Sequence, residues 1–441
     1  MSAPPLLACR HCDRLHVRQP IEAGAIASCT RCGYVLYRQS GLTLHQWTAL
    51  AVAAAVIFAI ANYFPIAELS IQGVSVRATL PYALWITWQQ GHASVALATA
   101  LFAFAFPLGQ ILFLFWALRA IATARLPADF KYGMRMLDAL APWSMLPVLL
   151  LGILVAMVKL LDLASVTFGP GLWAFAVSSF MLTALGRVSA QRLWRYAEDD
   201  GLVERSGLGL AAGEPHASCH ACGFVQSVPA PGGHEPCRRC GARVHRRKPE
   251  SFSRAWAFVI AAAVLYIPAN VLPVMIIHTP TGASPHTILS GVIEFWRLGS
   301  WDLALIVFVA SVVVPLTKLL ALSVLMLRRR RWRGRIIQRQ RTRLYELVEF
   351  VGQWSMLDVF VVVLLSAMAN FPGFSQITAG GGAVAFGAVV ILTIFAAMSY
   401  DPRLGWDADP EEAGELSPQA VNDPSAPPPD PAGAAPGIQQ Y

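Results

Sequence analysis

Long apolar runs alternate with polar segments along the chain. Residues 1–42 are polar, and an apolar run follows from Leu44 to Phe64. A mixed loop reaches His92, and a second run covers about 93–118. A third lies at about 142–162, and a Gly-Pro-Gly break precedes a fourth at about 171–188. A polar stretch, about 189–252, leads to four more runs at about 255–275, 301–327, 351–371 and 382–400. At 1.5 Å per residue, each can cross about 30 Å of hydrocarbon as a helix. The pattern predicts an α-helical polytopic membrane protein with eight transmembrane helices.

The two halves of the chain superpose. A shift of 208 brings Cys29 and Cys32 onto Cys237 and Cys240, Asn62 onto Asn270, and Pro107 onto Pro315. A shift of 211 brings Trp143-Ser144-Met145-Leu146 onto Trp354-Ser355-Met356-Leu357. The expected architecture is a tandem repeat of a four-cysteine zinc-ribbon-like knuckle followed by four transmembrane helices. Its boundaries are 5–42 and 43–190, then 215–248 and 252–401, with a tail from 403 to 441. An even number of spans per half makes the repeat parallel rather than inverted.

Composition agrees. The 441 residues are 56% hydrophobic and only 14% charged, against about 25% charged in soluble domains. The net charge of +8 would suit nucleic acid, but the arginines cluster beside apolar spans. Lipid headgroups and orientation explain them better, so no nucleic-acid partner is expected. Arg119, Arg125, Lys131 and Arg135 precede the third span, and nine arginines lie between Arg328 and Arg343. Arg187, Arg192 and Arg195 follow the fourth. The opposite loops hold only Arg77 and Arg297. The positive-inside rule then places both termini and both knuckles in the cytoplasm. No signal peptide is expected, because polar, cysteine-bearing sequence comes first. The tail after Arg403 reads as disordered and acidic.

The cysteines carry the clearest chemistry. They read as Cys9-x2-Cys12-x16-Cys29-x2-Cys32 in the first half and Cys219-x2-Cys222-x14-Cys237-x2-Cys240 in the second. Two such pairs offer four thiolates in a tetrahedron, which suits zinc, about two per chain. Rubredoxin-type iron uses the same ligands and stays open. Disulfides or redox thiols are the remaining readings, and a cytoplasmic face disfavours the disulfides. A site closed by four cysteines has no open position for substrate, so its role reads as structural. His11, His220 and His245 read as solvated loop residues beside the knuckles. There is no HExxH, phosphate loop or GxSxG, so neither a nucleotide-driven pump nor a hydrolase is expected.

Within the spans, Pro107 and Pro315 each remove a helix hydrogen bond and predict kinks. Asn62-Tyr-Phe-Pro65 and Asn270-Val-Leu-Pro273 read as helix stops. Thr287–Trp301, like Trp85 and Trp88 in the first half, fits an interfacial helix or an aromatic belt. Lys318 and Asp358 are intramembrane charges, and such residues are costly and commonly functional. Counted from the inner ends of their spans, they lie at depths of about 13 and 10 Å on consecutive antiparallel helices. They can therefore meet, and Thr317 and Ser355 could complete a polar cluster. The first half has Gln110 and Pro147 at the matching places. A structural salt bridge is the plainer reading of the pair.

Trp354-Ser-Met-Leu-Asp-Val-Phe360, Pro315-Leu-Thr-Lys318 and Ser399-Tyr-Asp-Pro-Arg403, with the duplicated knuckle and four-span module, resemble the paraquat-inducible protein A family over about residues 5–405. The resemblance implies an inner-membrane protein of Gram-negative bacteria, partnered by periplasmic MCE-domain proteins that form tunnels. The function it implies is movement of lipids between the two membranes. Two alternatives stay open: a membrane redox or stress protein using the CxxC knuckles, and an ion- or proton-coupled transporter using the charge pair.

Overall fold

The computed structural model describes the chain apart from residues 1–4, 72–73, 90, 92, 145, 162–164, 208–209, 211–214, 229–234, 280–281, 298, 300, 328–334, 355–359, 361–375, 409–436 and 440–441. The described residues are mostly helical, with six helices long and apolar enough to cross a membrane. A bent pair, Pro170–Leu185 and Ala190–Asp199, makes a seventh if it is counted as one span; the bend is 51°. Of the eight expected spans, the one at 351–371 falls almost wholly outside the described residues.

The first half builds as follows. Helix α1 (Leu44–Tyr63) starts at a capping box: Gln46 N–H donates to the Thr43 hydroxyl, and Thr43 N–H donates to the Gln46 side chain. It stops ahead of Pro65. Strands β5 (Ala67–Ile71) and β6 (Val74–Ala78) then form a hairpin, and β7 (Ser165–Phe168) pairs with β5 to complete a three-stranded antiparallel sheet. Helices α2 (Leu80–Gln89), α3 (Ala93–Thr99), α4 (Phe106–Ala122), α5 (Phe130–Leu140), α6 (Leu146–Leu161), α7 (Pro170–Leu185) and α8 (Ala190–Asp199) follow in chain order. Helix α1 packs on α7 and α4.

The second half places the same elements at the offsets seen in the sequence. Helix α9 is Ser251–Val271, and strands β12 (Met275–Thr279) and β13 (Gly282–His286) fall where the first sequence shift carries β5 and β6. Helices α10 (Ile288–Arg297), α11 (Trp301–Phe308) and α12 (Val314–Leu327) keep that same shift from α2, α3 and α4. Helix α13 covers Arg335–Trp354. Strand β14 (Gln376–Ala379) and the start of α14 (Gly381–Ser399) follow β7 and α7 by the second, slightly larger shift. Sheet order repeats too, β6-β5-β7 and β13-β12-β14.

A glycine joint holds each sheet to its bundle. Gly169 N–H donates to Ile66 and Gly171 N–H to Pro65; Gly380 and Gly382 repeat this with Val274 and Pro273. A Cβ on Gly169 or Gly380 would overlap the carbonyl oxygen of Pro65 or Pro273. Only glycine lets these backbones approach so closely.

Pro107 and Pro315 share one local setting. Each follows a π-helical segment, Ala100–Ala105 before Pro107 and Val309–Val313 before Pro315. The span Ala96–Ala122 runs through unbroken. The wider π turn makes room for the proline ring and the missing N–H. The loops 65–92 and 276–300, read as open loop plus interfacial helix, also contain the β5–β6 and β12–β13 hairpins. The tail is not disordered from its first residue: Pro402–Ala408 forms a 3-10 turn that buries Trp406 at 3% exposure. Strand β15 (Gly437–Gln439), near the end of that tail, pairs with the first knuckle. Finally, His11 is buried rather than solvated, with its ring 4.0 Å from that of Tyr34.

Candidate metal centres and buried lysine

Each knuckle is built from short hairpins: β1 (Leu6–Ala8) with β2 (Leu15–Val17) and β3 (Ile26–Ser28) with β4 (Val35–Arg38) in the first. In the second, β8 (His216–Ser218) pairs with β9 (Val225–Ser227) and β10 (Glu235–Pro236) with β11 (Arg243–Val244). All four CxxC turns share one backbone pattern. The first cysteine accepts at its carbonyl from the residue four places on and donates its own N–H to the residue five places on. The pairs are Cys9 with Asp13 and Arg14, Cys29 with Gly33 and Tyr34, Cys219 with Gly223 and Phe224, and Cys237 with Gly241 and Ala242. The residue four places on has positive φ each time: 63° at Asp13, 81° at Gly33, 75° at Gly223 and 67° at Gly241. Glycine takes that region without cost, and aspartate is among the few other residues that enter it.

These turns bring Cys9, Cys12, Cys29 and Cys32 together, and likewise Cys219, Cys222, Cys237 and Cys240. Within each set all four sulfurs lie within 4.8 Å of one another. The closest sulfurs are 3.5 Å apart for Cys9–Cys32 and Cys12–Cys29, 3.6 Å for Cys219–Cys240 and 3.5 Å for Cys222–Cys237. That is far beyond a disulfide bond. It matches a tetrahedron with metal–sulfur bonds of about 2.3 Å, whose edges are about 3.8 Å. All eight cysteines are buried and free. Hydrogen bonds among the sulfurs, more than burial, push Cys9, Cys12, Cys219 and Cys222 up, and push Cys29, Cys32, Cys237 and Cys240 down, Cys237 to about 7. A divalent cation would take the place of the shared protons.

His16 escaped the sequence reading. It is buried, and its Nε2 lies 3.3 Å from the Cys29 sulfur, placed to support that ligand. Burial, then Arg10, holds the His11 imidazole down at about 4, so it is neutral at physiological pH.

The knuckles exchange supports with the opposite halves. Arg339 on α13 donates to the carbonyls of Thr30 and Arg31 at 3.1 and 3.0 Å, and Arg31 stacks on Trp406 at 5.0 Å. Conversely, Arg135 on α5 donates to the Cys240 carbonyl. Arg239 stacks on Trp194 of α8 at 5.8 Å and pairs with Glu198 at 2.7 Å, both side chains 4% exposed. Arg247 pairs with Asp13 and Asp407, joining both knuckles to the turn after α14.

Lys318 sits in α12 at 2% exposure, and its Nζ has no hydrogen-bond partner among the described residues. Ser311, in the preceding π segment, is fully buried with its hydroxyl also unpartnered there. No apolar–polar pattern singles it out. Thr317 is exposed, and its hydroxyl donates to the Val313 and Val314 carbonyls. Asp358 and Ser355 lie outside the described residues. Gln110, the first-half equivalent of Lys318, is buried at 7% exposure.

Similarity to known proteins runs along nearly the whole chain. The family described as Paraquat-inducible protein A matches residues 44–198 and 252–409. Intermembrane transport protein PqiA of Escherichia coli (strain K12) is 33% identical over 419 residues, covering 93% of this chain and 98% of its own. Lipophilic envelope-spanning tunnel protein A of the same strain is 31% identical over 408 residues, covering 91% of each. A probable intermembrane transport protein of Haemophilus influenzae is 26% identical over 418 residues, covering 92% and 97%. No solved structure matches.

Proposed function

The chain belongs to the paraquat-inducible protein A family, and from that membership we propose that it is a non-enzymatic subunit of an envelope lipid-transport system in the bacterial inner membrane. The carrying observation is similarity over nearly the full length of both chains to a protein named for intermembrane transport. The recurrence of helices, strands and sheet order between the halves supports a duplicated module with eight spans, four per half. Both termini and both knuckles then face the cytoplasm, where the basic loops lie. The partner is a periplasmic MCE-domain protein that receives lipid from the chain or delivers lipid to it.

Each knuckle holds one zinc ion in a structural role. Four buried thiolates that close the coordination sphere leave no place for substrate and shield the sulfurs from redox partners. This weighs against the redox alternative. In the second half, Lys318 supplies a cation inside the span, with Asp358 as its expected partner. A cation at that depth can hold a lipid headgroup or relay a proton.

The test is purification of the full chain with an MCE-domain protein, followed by mass spectrometry of retained lipid. Co-purification with enriched lipid supports the reading, and neither appearing overturns it. The double swap Lys318→Met with Asp358→Leu then probes the pair, because it leaves no orphan charge. A working site keeps abundance and loses envelope function. Full function at normal abundance refutes a role for the pair.

A further inference from the structure

A second polar region lies away from both cysteine clusters. Between the first knuckle and α8 is a cavity of about 370 Å³, lined by Arg18, Arg38, Arg192, Arg195 and Arg205 together with Tyr37. Among the described residues its only carboxylates are Glu198 and Asp199. Both are already committed: Glu198 to Arg239, and Asp199 to Arg18. Arg192 spends its donors on the Arg187 and Arg38 carbonyls, which hold it in place without neutralising it. Arg195, three residues further along the same helix, has neither a hydrogen bond nor an ion pair among the described residues. Its guanidinium lies over the face of Tyr37, 6.0 Å from the ring centre. One guanidinium nitrogen of Arg18 is buried without a partner among those residues. Arg38 has no carboxylate partner there either.

Several guanidinium groups packed around one cavity, with spare donors and too few carboxylates, is a costly arrangement unless something anionic enters. Burial, with Arg18 and Arg192 adding repulsion, already draws the Arg195 guanidinium down to about 10. Guanidinium groups lining one space suit a phosphate group better than a carboxylate, since phosphate offers more acceptor oxygens. The position fits as well. Only a short turn separates the end of the apolar helix α7 at Leu185 from the start of α8 at Ala190. The arginines thus stand where a membrane's polar headgroups would meet the knuckle.

We propose that the cavity between the first knuckle and α8 is a binding site for a phosphate group, with Arg195 and Arg18 as its principal ligands. The phosphate can belong to a lipid headgroup or be free in solution. The site involves neither cysteine cluster nor Lys318, and it does not depend on the transport reading.

The full chain is tested in two arms. In detergent, inorganic phosphate is titrated by calorimetry. In nanodiscs, native mass spectrometry counts retained phosphatidylglycerol against a phosphatidylcholine background. Saturable binding is expected in at least one arm, and which arm identifies the source. Arg195→Gln should weaken it by about 10-fold or more, the size of a lost charge-assisted contact. Arg195→Lys should retain a larger share. Melting temperature and metal content check that the variants fold, and the exposed Arg38→Gln serves as a second variant should Arg195→Gln fail that check. No saturable binding in either arm, or binding unchanged in a folded Arg195→Gln or, in its place, Arg38→Gln protein, overturns the proposal.

Discussion

Gln110 and Lys318 stand at matching places, three residues after the proline that follows each π-helical segment, and both are buried. Their surroundings share one frame among the described residues: the same sheet order, the same glycine joint, and helices α2 to α4 matched by α10 to α12. Only one of them is ionisable. Asn62 and Asn270 show what full likeness looks like, each donating its side-chain amide to the carbonyl four residues earlier, Phe58 and Tyr266. The contrast separates what the frame needs from what one half adds. A glutamine can be buried neutral, whereas a lysine there must find an anion, lose its proton or hold a ligand.

The largest effect should come from the metal centres. Cys29→Ser and Cys237→Ser should each remove one of two zinc ions, measured by elemental analysis, and lower membrane abundance sharply, because structural zinc binding is coupled to folding. Zinc-free protein of normal stability would sink the metal reading. Next comes the comparison itself. Lys318→Ala should abolish complementation of a deletion strain under detergent stress, while Gln110→Ala should leave it largely intact. Equal loss from both would mean that the two halves do the same work.

The knuckle supports should differ less. Arg239→Ala strands the buried Glu198 carboxylate and should cost about 3–5 kcal/mol. Arg31→Ala loses its stacking on Trp406 and long hydrogen bonds to the Cys12 and Trp406 carbonyls, about 0.5–2 kcal/mol. Thermal unfolding of the two variants ranks them. The smallest contrast is expected at the glycine joints. Gly169→Ala and Gly380→Ala should each cost about 1–3 kcal/mol through overlap with a backbone carbonyl. Similar shifts in melting temperature are expected, and a large difference would show that the sheets are held differently.

Sequence by itself determined a good deal. Apolar runs fix where helices cross, because a backbone in lipid must satisfy its own hydrogen bonds. CxxC spacing fixed which eight sulfurs would meet, because the turn is local and its glycines, with Asp13, mark the positive-φ position. A recurrence between the two halves was legible too, since cysteines, prolines and the Trp-Ser-Met-Leu run return at nearly constant offsets. Tertiary structure alone decided the rest. The sheets on the loops join β5 to β7 and β12 to β14 across long stretches of intervening chain, and no local pattern records a pairing that distant. The π-helical segments could not be read, since Pro107 and Pro315 predict a lost hydrogen bond but not how the helix absorbs it. Packing, too, decided that His16 reaches Cys29 and that Arg195, unlike Arg18 with its Asp199, has no carboxylate partner among the described residues. Charge is written in the sequence, but whether a charge is paired depends on what folds against it.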